Sequence, residues 1–136
     1  MSVYDVAVIG AGAAGSTAAF HLANAGHRVC VLEAVEGPRV KPCGGGMASS
    51  VQQWFPFDLS PAVDDVIRRV DFSWCLDDPV VAELPGEAPF WIVRRERLDR
   101  LLLEKALEAG ATLHCPCLVQ QVEREDGQWT IRGDSG

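Results

Sequence analysis

The sequence has little positive charge and no long apolar run, and each shortage argues against a class of protein. Its 136 residues carry 12 lysines and arginines against 19 aspartates and glutamates, which gives a net charge of −7. A general nucleic-acid binder needs a positive field, so no nucleic-acid partner is expected. No apolar stretch approaches the roughly 20 residues of a membrane-spanning helix. The N-terminus also lacks the basic and then apolar pattern of a secretory signal.

The cysteines do not indicate a disulfide framework. The sequence has five cysteines, an odd number, and no signal sequence precedes them. They are Cys30, Cys43, Cys75, Cys115 and Cys117. This usage predicts reduced thiols and a cytoplasmic location. Cys115 and Cys117 form a C-x-C pair, but no second Cys/His pair completes a tetrahedral site, so no metal is expected. Cys30 lies in an apolar run and is interpreted as a small core residue.

The length fits one domain of ordinary size, and no internal repeat is visible. The predicted fold class is α/β, a Rossmann-like βαβ unit with a parallel sheet plus a small antiparallel insertion. Three parts are expected: residues 1–46 as βαβ unit and glycine-rich loop, 47–93 as insertion, and 94–136 as helix and returning strands. Residues 47–90 carry a net charge of −6, with two basic and eight acidic side chains. We interpret that excess as a solvated face.

The first 33 residues predict the βαβ unit. Residues 3–9 are apolar and rich in β-branched side chains, which indicates a buried parallel strand. An alanine-rich helix over 16–25 ends at Gly26. A second buried strand follows over 29–33, and the two strands are expected to be parallel neighbours.

The rest of the chain predicts a less regular set of elements. A short helix is expected over 47–55, a connector over 56–65, and strands over 66–74, 80–84 and 90–93. The periodicity of Leu98, Leu102 and Ala106 predicts a helix over 95–109. One strand is then expected over 111–122 and another over 128–131, after the turn at Asp126-Gly127.

A phosphate-binding turn lies between the first strand and the first helix. Gly10 permits a tight turn, Gly12 lets a pyrophosphate approach the backbone, and Gly15 lets the helix pack on the sheet. The N–H groups at the helix start would hold the phosphate. Glu33, at the end of the second strand, can accept hydrogen bonds from both ribose hydroxyls and would repel a 2′-phosphate. The turn predicts FAD or NAD; FAD is favoured because the chain leaves the parallel sheet after Glu33.

Three segments now resemble known flavoproteins. Residues 4–16 resemble the opening of the FAD-dependent, glutathione-reductase-like flavoproteins. Lys41-Pro42-Cys43-Gly44-Gly45-Gly46 resembles the Pro-Cys-Gly-Gly-Gly loop of the geranylgeranyl reductase family. Arg95-Glu96-Arg97-Leu98-Asp99 is similar to the Arg-x-x-Phe-Asp helix start that this family shares with aromatic hydroxylases, with Leu98 in place of the commoner Phe. The resemblance covers about residues 3–124 and identifies the N-terminal part of such a protein.

The resemblance implies an enzyme that reduces carbon–carbon double bonds of isoprenoid chains, with FAD as cofactor and NADPH as electron donor. The residues implied for the ADP half of FAD are Gly10, Gly12, Ala13, Ala14, Gly15, Glu33 and Ala34. Arg95 would contact the pyrophosphate or ribityl region, and the backbone of Val119 would meet the adenine. Pro42, Cys43, Gly44, Gly45 and Gly46 would lie beside the isoalloxazine and the substrate, with Cys43 as the candidate catalytic residue.

The residues themselves leave several roles open. Consecutive glycines let a backbone approach a flat ring closely, and Cys43 could be an apolar wall, a proton donor, a redox partner or a bystander in a surface turn. Arg95 opposes the helix dipole, which suggests an anionic partner such as an FAD phosphate. Arg94 and Arg97 compete for that role.

Two other functions remain open: a flavin-dependent monooxygenase or halogenase, and a dinucleotide-binding module without chemistry. Members of the family have several hundred residues, a later Gly-Asp motif and a substrate domain. We therefore expect the 136-residue chain to be an N-terminal portion that is inactive alone and completed by a missing C-terminal part. The expected partner is an isoprenoid or prenylated small molecule, whose apolar character implies peripheral contact with a membrane.

Overall fold

The computed structural model describes residues 2–37 and 41–134, apart from the side chain of Glu125. The chain divides into two compact units. The first unit consists of residues 1–39 and 99–136, and the second consists of residues 40–98. No helix among the described residues is long and apolar enough to cross a membrane.

The described strands and α-helices follow one another in a mixed order. They are β1 (Val6–Ile9), α1 (Ala13–Asn24), β2 (Val29–Leu32), β3 (Gly46–Ala48), β4 (Val63–Ile67), β5 (Arg69–Trp74), β6 (Asp77–Glu83), β7 (Phe90–Val93), α2 (Arg95–Glu108), β8 (Thr112–His114), β9 (Val119–Glu125) and β10 (Gln128–Gly133). Two short 3-10 helices, Ser49–Trp54 and Ser60–Ala62, separate β3 from β4. The predicted α/β class, with a parallel sheet and an antiparallel insertion, is confirmed.

The parallel sheet of the first unit has the order β1-β2-β8. Val6 of β1 is paired with Val29 of β2, and Cys30 of β2 is paired with Thr112 of β8. The central strand β2 is buried from Val29 to Val31, as its continuous apolar run predicts. Cys30 belongs to this core, and burial raises the pKa of its thiol.

The first strand is parallel as predicted, but the prediction that it is buried is wrong. Burial alternates along β1, and the side chain of Ile9 is 55% exposed. Helix α1 packs against β1 and β2, and Val8 points toward the helix beside Gly15. Ala7 and Ile9 point to the opposite face, which the described residues leave exposed. The sequence of β1 is a continuous apolar run, although the described residues cover only one of its faces.

The helix predicted over 95–109 is confirmed as α2, and its apolar stripe is buried. Leu98, Leu102 and Ala106 are all less than a tenth exposed. The helix ends before Gly110, which has φ +105°, a conformation that favours glycine. The spacing of the apolar residues therefore located both the helix and the side that faces the core.

The single strand predicted over 111–122 is wrong, because the chain forms two strands there. β8 ends at His114 and pairs in parallel with β2, whereas β9 begins at Val119 and pairs antiparallel with β10. Pro116 lies between them and has no N–H to donate to a ladder, so the run cannot continue as one strand. The turn from β9 to β10 is as predicted, with positive φ at Asp126 and Gly127.

The second unit contains the antiparallel insertion. One sheet has the order β3-β7-β4 and the other pairs β5 with β6, all antiparallel. The short helix predicted over 47–55 is corrected in part: β3 occupies Gly46–Ala48, and a 3-10 helix covers Ser49–Trp54. Backbone pairing of Met47 with Trp91 outweighs the helical pattern of the local sequence.

Candidate functional site

The predicted phosphate-binding turn joins β1 to α1. The N–H of Gly10 donates to the carbonyl of Leu32 at 2.8 Å, which extends the pairing of the two strands by one residue. Gly10 itself has φ +97°, so the sharp turn depends on a glycine there. Gly12 is the N-cap of α1, with extended backbone angles and no side-chain cap. Nothing in a glycine side chain obstructs the approach of a phosphate at that point.

Gly15 is needed for a different reason. A Cβ built at Gly15 would overlap the carbonyl oxygen of Gly10 and would lie 3.2 Å from Cγ1 of Val8. The first turn of α1 therefore packs directly on the backbone of the turn. This contact holds the N-terminus of the helix where a dinucleotide phosphate would lie.

The N-terminus of α1 has the properties of an anion site. Its first turn contains no acidic residue, and no side chain caps it. The first N–H groups of an α-helix have no partner within the helix, and its dipole makes this end positive. Ala13 and Ala14, both predicted binding residues, lie in this turn. The turn therefore fits the pyrophosphate of a dinucleotide.

Glu33 is buried behind the turn, with only 4% of its surface exposed. Its Oε2 accepts a hydrogen bond of 2.7 Å from the N–H of Ala11, inside the glycine turn. Its Oε1 accepts one of 3.1 Å from the N–H of Val35. The carboxylate is therefore fixed by backbone groups on two sides, at the end of β2 where a ribose is expected.

The backbone of Glu33 is held by the segment that follows β8. Its N–H donates to the carbonyl of His114 at 3.0 Å, and its own carbonyl accepts from the N–H of Cys117 at 2.7 Å. The thiol of Cys115 lies 3.4 Å from the carbonyl of Val35. Desolvation, together with the nearby charge of Glu33, raises the pKa of Cys115, so this thiol stays protonated at neutral pH.

Ser16 is a residue of this site that sequence reasoning missed. It is fully buried, and its hydroxyl donates to the carbonyl of Ala11 at 3.0 Å. Glu33 therefore binds the peptide unit before the Cα of Ala11, and Ser16 binds the peptide unit after it. A small hydroxyl directly after the third glycine was the available signal, because a serine inside a helix commonly seeks a backbone partner.

Two further predicted residues lie in the first unit. Ala34 is exposed directly after Glu33, and Val119 is the half-buried first residue of β9. Val119 is paired with Gly133 across a bulge at the end of the β9–β10 ladder. The structure thus assembles the turn, Glu33, Ala34 and Val119 in one compact unit.

The Pro-Cys-Gly-Gly-Gly loop lies in the second unit, and two of its glycines have a packing role. Gly45 has φ +72°, and a Cβ there would overlap the carbonyl oxygen of Val93. A Cβ at Gly46 would lie 3.0 Å from the ring of Phe90. Close packing on β7 therefore explains why Gly45 and Gly46 are glycines. Nothing lies within 4 Å of a Cβ at Gly44, so packing within the protein does not explain the glycine at that position.

Cys43 is the exposed cysteine of this loop and follows an exposed Pro42. Its sulfur lies 3.4 Å from the N–H of Gly45 and accepts a hydrogen bond from it. This bond turns the Cys43 side chain back along the glycines. The thiol is therefore exposed and held near the backbone of the loop.

The arginines at the start of α2 are not equivalent. Arg94 Nε lies 2.9 Å from the carboxylate of Asp64, and Arg97 Nη1 lies 3.5 Å from it. The hydrogen bond to Asp64 raises the pKa of Arg94. Arg95 is half-buried and is the first residue of the helix. Arg94 and Arg97, the alternatives to Arg95 for the predicted anion-binding role, therefore both pair with the carboxylate of Asp64.

The chain matches a known family over this turn. Residues 5–56 match the family model described as FAD dependent oxidoreductase. The matched range contains the glycine turn, Glu33 and the Pro-Cys-Gly-Gly-Gly loop. Over these residues the chain is similar to the FAD-dependent oxidoreductases.

Two curated relatives of this chain are reductases of geranylgeranyl compounds. It is 35% identical over 137 residues to a geranylgeranyl diphosphate reductase of Rhodobacter capsulatus, covering 98% of this chain and 30% of that protein. It is 35% identical over 114 residues to digeranylgeranylglycerophospholipid reductase 2 of Methanothermobacter thermautotrophicus, covering 79% of this chain and 28% of the relative. Its homologues therefore include geranylgeranyl reductases. The chain spans about a third of the length of the curated relatives it matches.

Solved structures show the same fold. A geranylgeranyl bacteriochlorophyll reductase-like protein from Thermoplasma acidophilum superimposes with a TM-score of 0.85 at 22% identity, over 98% of this chain and 36% of that one. The halogenase PltM, in complex with phloroglucinol and FAD, gives a TM-score of 0.76 at 19% identity, over 98% of this chain and 32% of that one. At these identities the likeness establishes the fold and leaves the reaction open.

Proposed function

We propose that this chain is the FAD-binding part of an oxidoreductase that reduces carbon–carbon double bonds of an isoprenoid chain of the geranylgeranyl type. The observation that carries the proposal is the 35% identity, over nearly the whole chain, to a geranylgeranyl diphosphate reductase. The geometry around Glu33 and the glycine turn supports the cofactor.

The first unit would hold the ADP half of FAD. The N-terminus of α1 would bind the pyrophosphate, and Glu33 would accept hydrogen bonds from the ribose hydroxyls. The carboxylate would also oppose a 2′-phosphate at this position, which supports FAD over an NADP-type nucleotide in the turn. Val119 and Ala34 would line the adenosine. NADPH, as the proposed electron donor, would bind elsewhere.

The second unit would contribute the Pro-Cys-Gly-Gly-Gly loop and Arg95. Gly44 could approach a flat ring without loss of any packing, and Arg95 could bind a phosphate. FAD held there would supply hydride chemistry for the reduction of an alkene, with NADPH as the proposed electron donor, and the protein would supply the proton that the second alkene carbon needs. Cys43 is the candidate to hold or supply that proton.

The test is an anaerobic single turnover. The protein is expressed from the complete reading frame that encodes this chain and is loaded with FAD. The flavin is then reduced, and geranylgeranyl diphosphate is added without oxygen. We expect the oxidised flavin absorbance to return while the mass of the product increases by two hydrogens for each reduced bond. An apolar substrate would reach the protein from a membrane surface, so the assay is repeated with lipid vesicles.

Other outcomes would favour the alternatives. A reduced flavin that reacts only with oxygen, and then chlorinates or hydroxylates an aromatic substrate, would replace this proposal with a monooxygenase or halogenase. The likeness to the halogenase PltM is the observation behind that alternative. A protein that binds the dinucleotide and is never reduced by NADPH or other donors would instead be a binding module.

Replacing Cys43 with alanine tests its role in the same assay. We expect Cys43→Ala to bind FAD as the wild type does, because the cysteine is exposed and its bond to Gly45 is weak. A lost proton donor typically lowers a rate by about 10²-fold or more, so flavin reoxidation by the prenyl substrate should slow by that order. Cys75→Ala removes another exposed thiol and is the matched control. A Cys43→Ala rate equal to that of the control would make Cys43 a bystander.

A further inference from the structure

We propose that Glu33 is a positioning residue for the phosphate-binding turn, so that one carboxylate couples the ribose and pyrophosphate subsites. Oε2 of Glu33 holds the N–H of Ala11, which belongs to the turn itself. This inference rests on the proposed nucleotide site but not on the proposed prenyl substrate.

The backbone of Ala11 is held through both of its polar groups, which belong to two successive peptide units. Its N–H donates to Glu33, and its carbonyl accepts from the hydroxyl of Ser16 at 3.0 Å. Ala11, Ser16 and Glu33 are all buried. A buried backbone group that loses its partner costs free energy, so the turn has one favoured orientation while both bonds exist. In that orientation the turn leads directly into the N-terminus of α1, where the phosphate is expected.

The carboxylate of Glu33 has little freedom to move. Its other oxygen accepts from Val35, and the backbone of Glu33 is bonded to His114 and Cys117. The sheet thus fixes the glutamate, and the glutamate fixes the turn. The bond to Ala11 therefore links a carboxylate at the proposed ribose position directly to the backbone of the turn.

Inorganic pyrophosphate separates the two roles, because it contains no ribose. If Glu33 acted only on ribose, removing its negative charge would leave pyrophosphate affinity unchanged or increase it by Coulomb's law. If Glu33 positions the turn, the same change lowers the affinity. The two accounts therefore predict different results: weaker pyrophosphate binding if Glu33 positions the turn, and equal or tighter binding if it acts only on the ribose.

The experiment titrates the full chain and its Glu33→Leu variant with inorganic pyrophosphate and with ADP. We expect the variant to bind pyrophosphate about tenfold more weakly, the size of one lost hydrogen bond to a charged group. ADP should be weakened further, because the ribose contact is lost as well. Glu36→Leu removes the same charge from an exposed residue three positions away and should not weaken pyrophosphate binding.

Amide hydrogen exchange provides a readout that does not depend on affinity. The N–H of Ala11 should be protected in the wild type and exchange faster in Glu33→Leu, while the amides of β2 keep their protection. If Glu33→Leu does not fold, Glu33→Gln replaces it: the NH2 group of glutamine takes the place of one carboxylate oxygen and cannot accept from the N–H that faces it. Pyrophosphate affinity should then fall if protection is lost at Ala11, and it should keep the wild-type value if protection is lost only at Val35. The reverse result would overturn the proposal.

The failures are distinguishable. Pyrophosphate affinity that is unchanged or increased in Glu33→Leu, with ADP affinity reduced, overturns the coupling and leaves the nucleotide site intact. A wild-type chain that binds neither ADP nor pyrophosphate overturns the nucleotide site and the coupling together.

Discussion

Gly15→Ala should destabilise the first unit and abolish its nucleotide binding. The added methyl group would overlap the carbonyl oxygen of Gly10, which is backbone and cannot rotate away. Helix α1 would have to move off β1, and overpacking of this kind costs about 1–3 kcal/mol or more. Urea denaturation should show the loss in the free energy of unfolding, and an ADP titration should show no binding.

Gly44→Ala is the matched control for stability. Nothing lies within 4 Å of a Cβ at Gly44, and its φ is not in the left-handed region. The free energy of unfolding should change by less than about 0.5 kcal/mol, as for other unconstrained surface positions. A Gly15→Ala variant as stable as Gly44→Ala would show that α1 does not pack on the turn as described.

Gly12→Val should remove nucleotide binding while the fold survives. Gly12 has φ −76° and ψ −178°, which is extended backbone that valine adopts readily. The side chain would instead occupy the space in front of the first turn of α1, where the pyrophosphate is expected. Losing two charge-assisted phosphate bonds corresponds to about 100-fold or more in affinity. Equilibrium titration with ADP and with FAD measures the effect.

Ala18→Val is the control for this variant. Ala18 is exposed on the same helix, one turn beyond the proposed contact, so it receives the same side chain away from the phosphate. Its ADP affinity should equal that of the wild type. Folded Gly12→Val protein that binds ADP like Ala18→Val would refute the assignment of the turn.

The sequence was sufficient to predict the βαβ unit because local patterns determine it. An apolar run, three spaced glycines and an alanine-rich helix each indicate one element without reference to distant residues. The same holds for α2, whose apolar spacing predicts the buried face of Leu98, Leu102 and Ala106. It also holds for the turn at Asp126-Gly127, where the dipeptide specifies the backbone angles.

The remaining features depend on contacts between distant residues. The bond from Ala11 to Glu33 joins positions 22 residues apart, and no spacing rule for a ribose carboxylate predicts it. The packing of Gly45 on Val93 likewise exists only because β3 pairs with β7. Pro116 is different, because a proline has no N–H for a strand ladder and the sequence alone indicates a break there.

The central claim is that the glycine turn holds the ADP half of FAD, and a competition titration tests it most directly. FAD is bound to the protein expressed from its own reading frame and then displaced by ADP or by FMN. The account predicts one FAD per chain, displaced by ADP and much less effectively by FMN, with both effects lost in Gly12→Val. A protein that binds no FAD, or whose FAD is displaced by FMN and not by ADP, would contradict it.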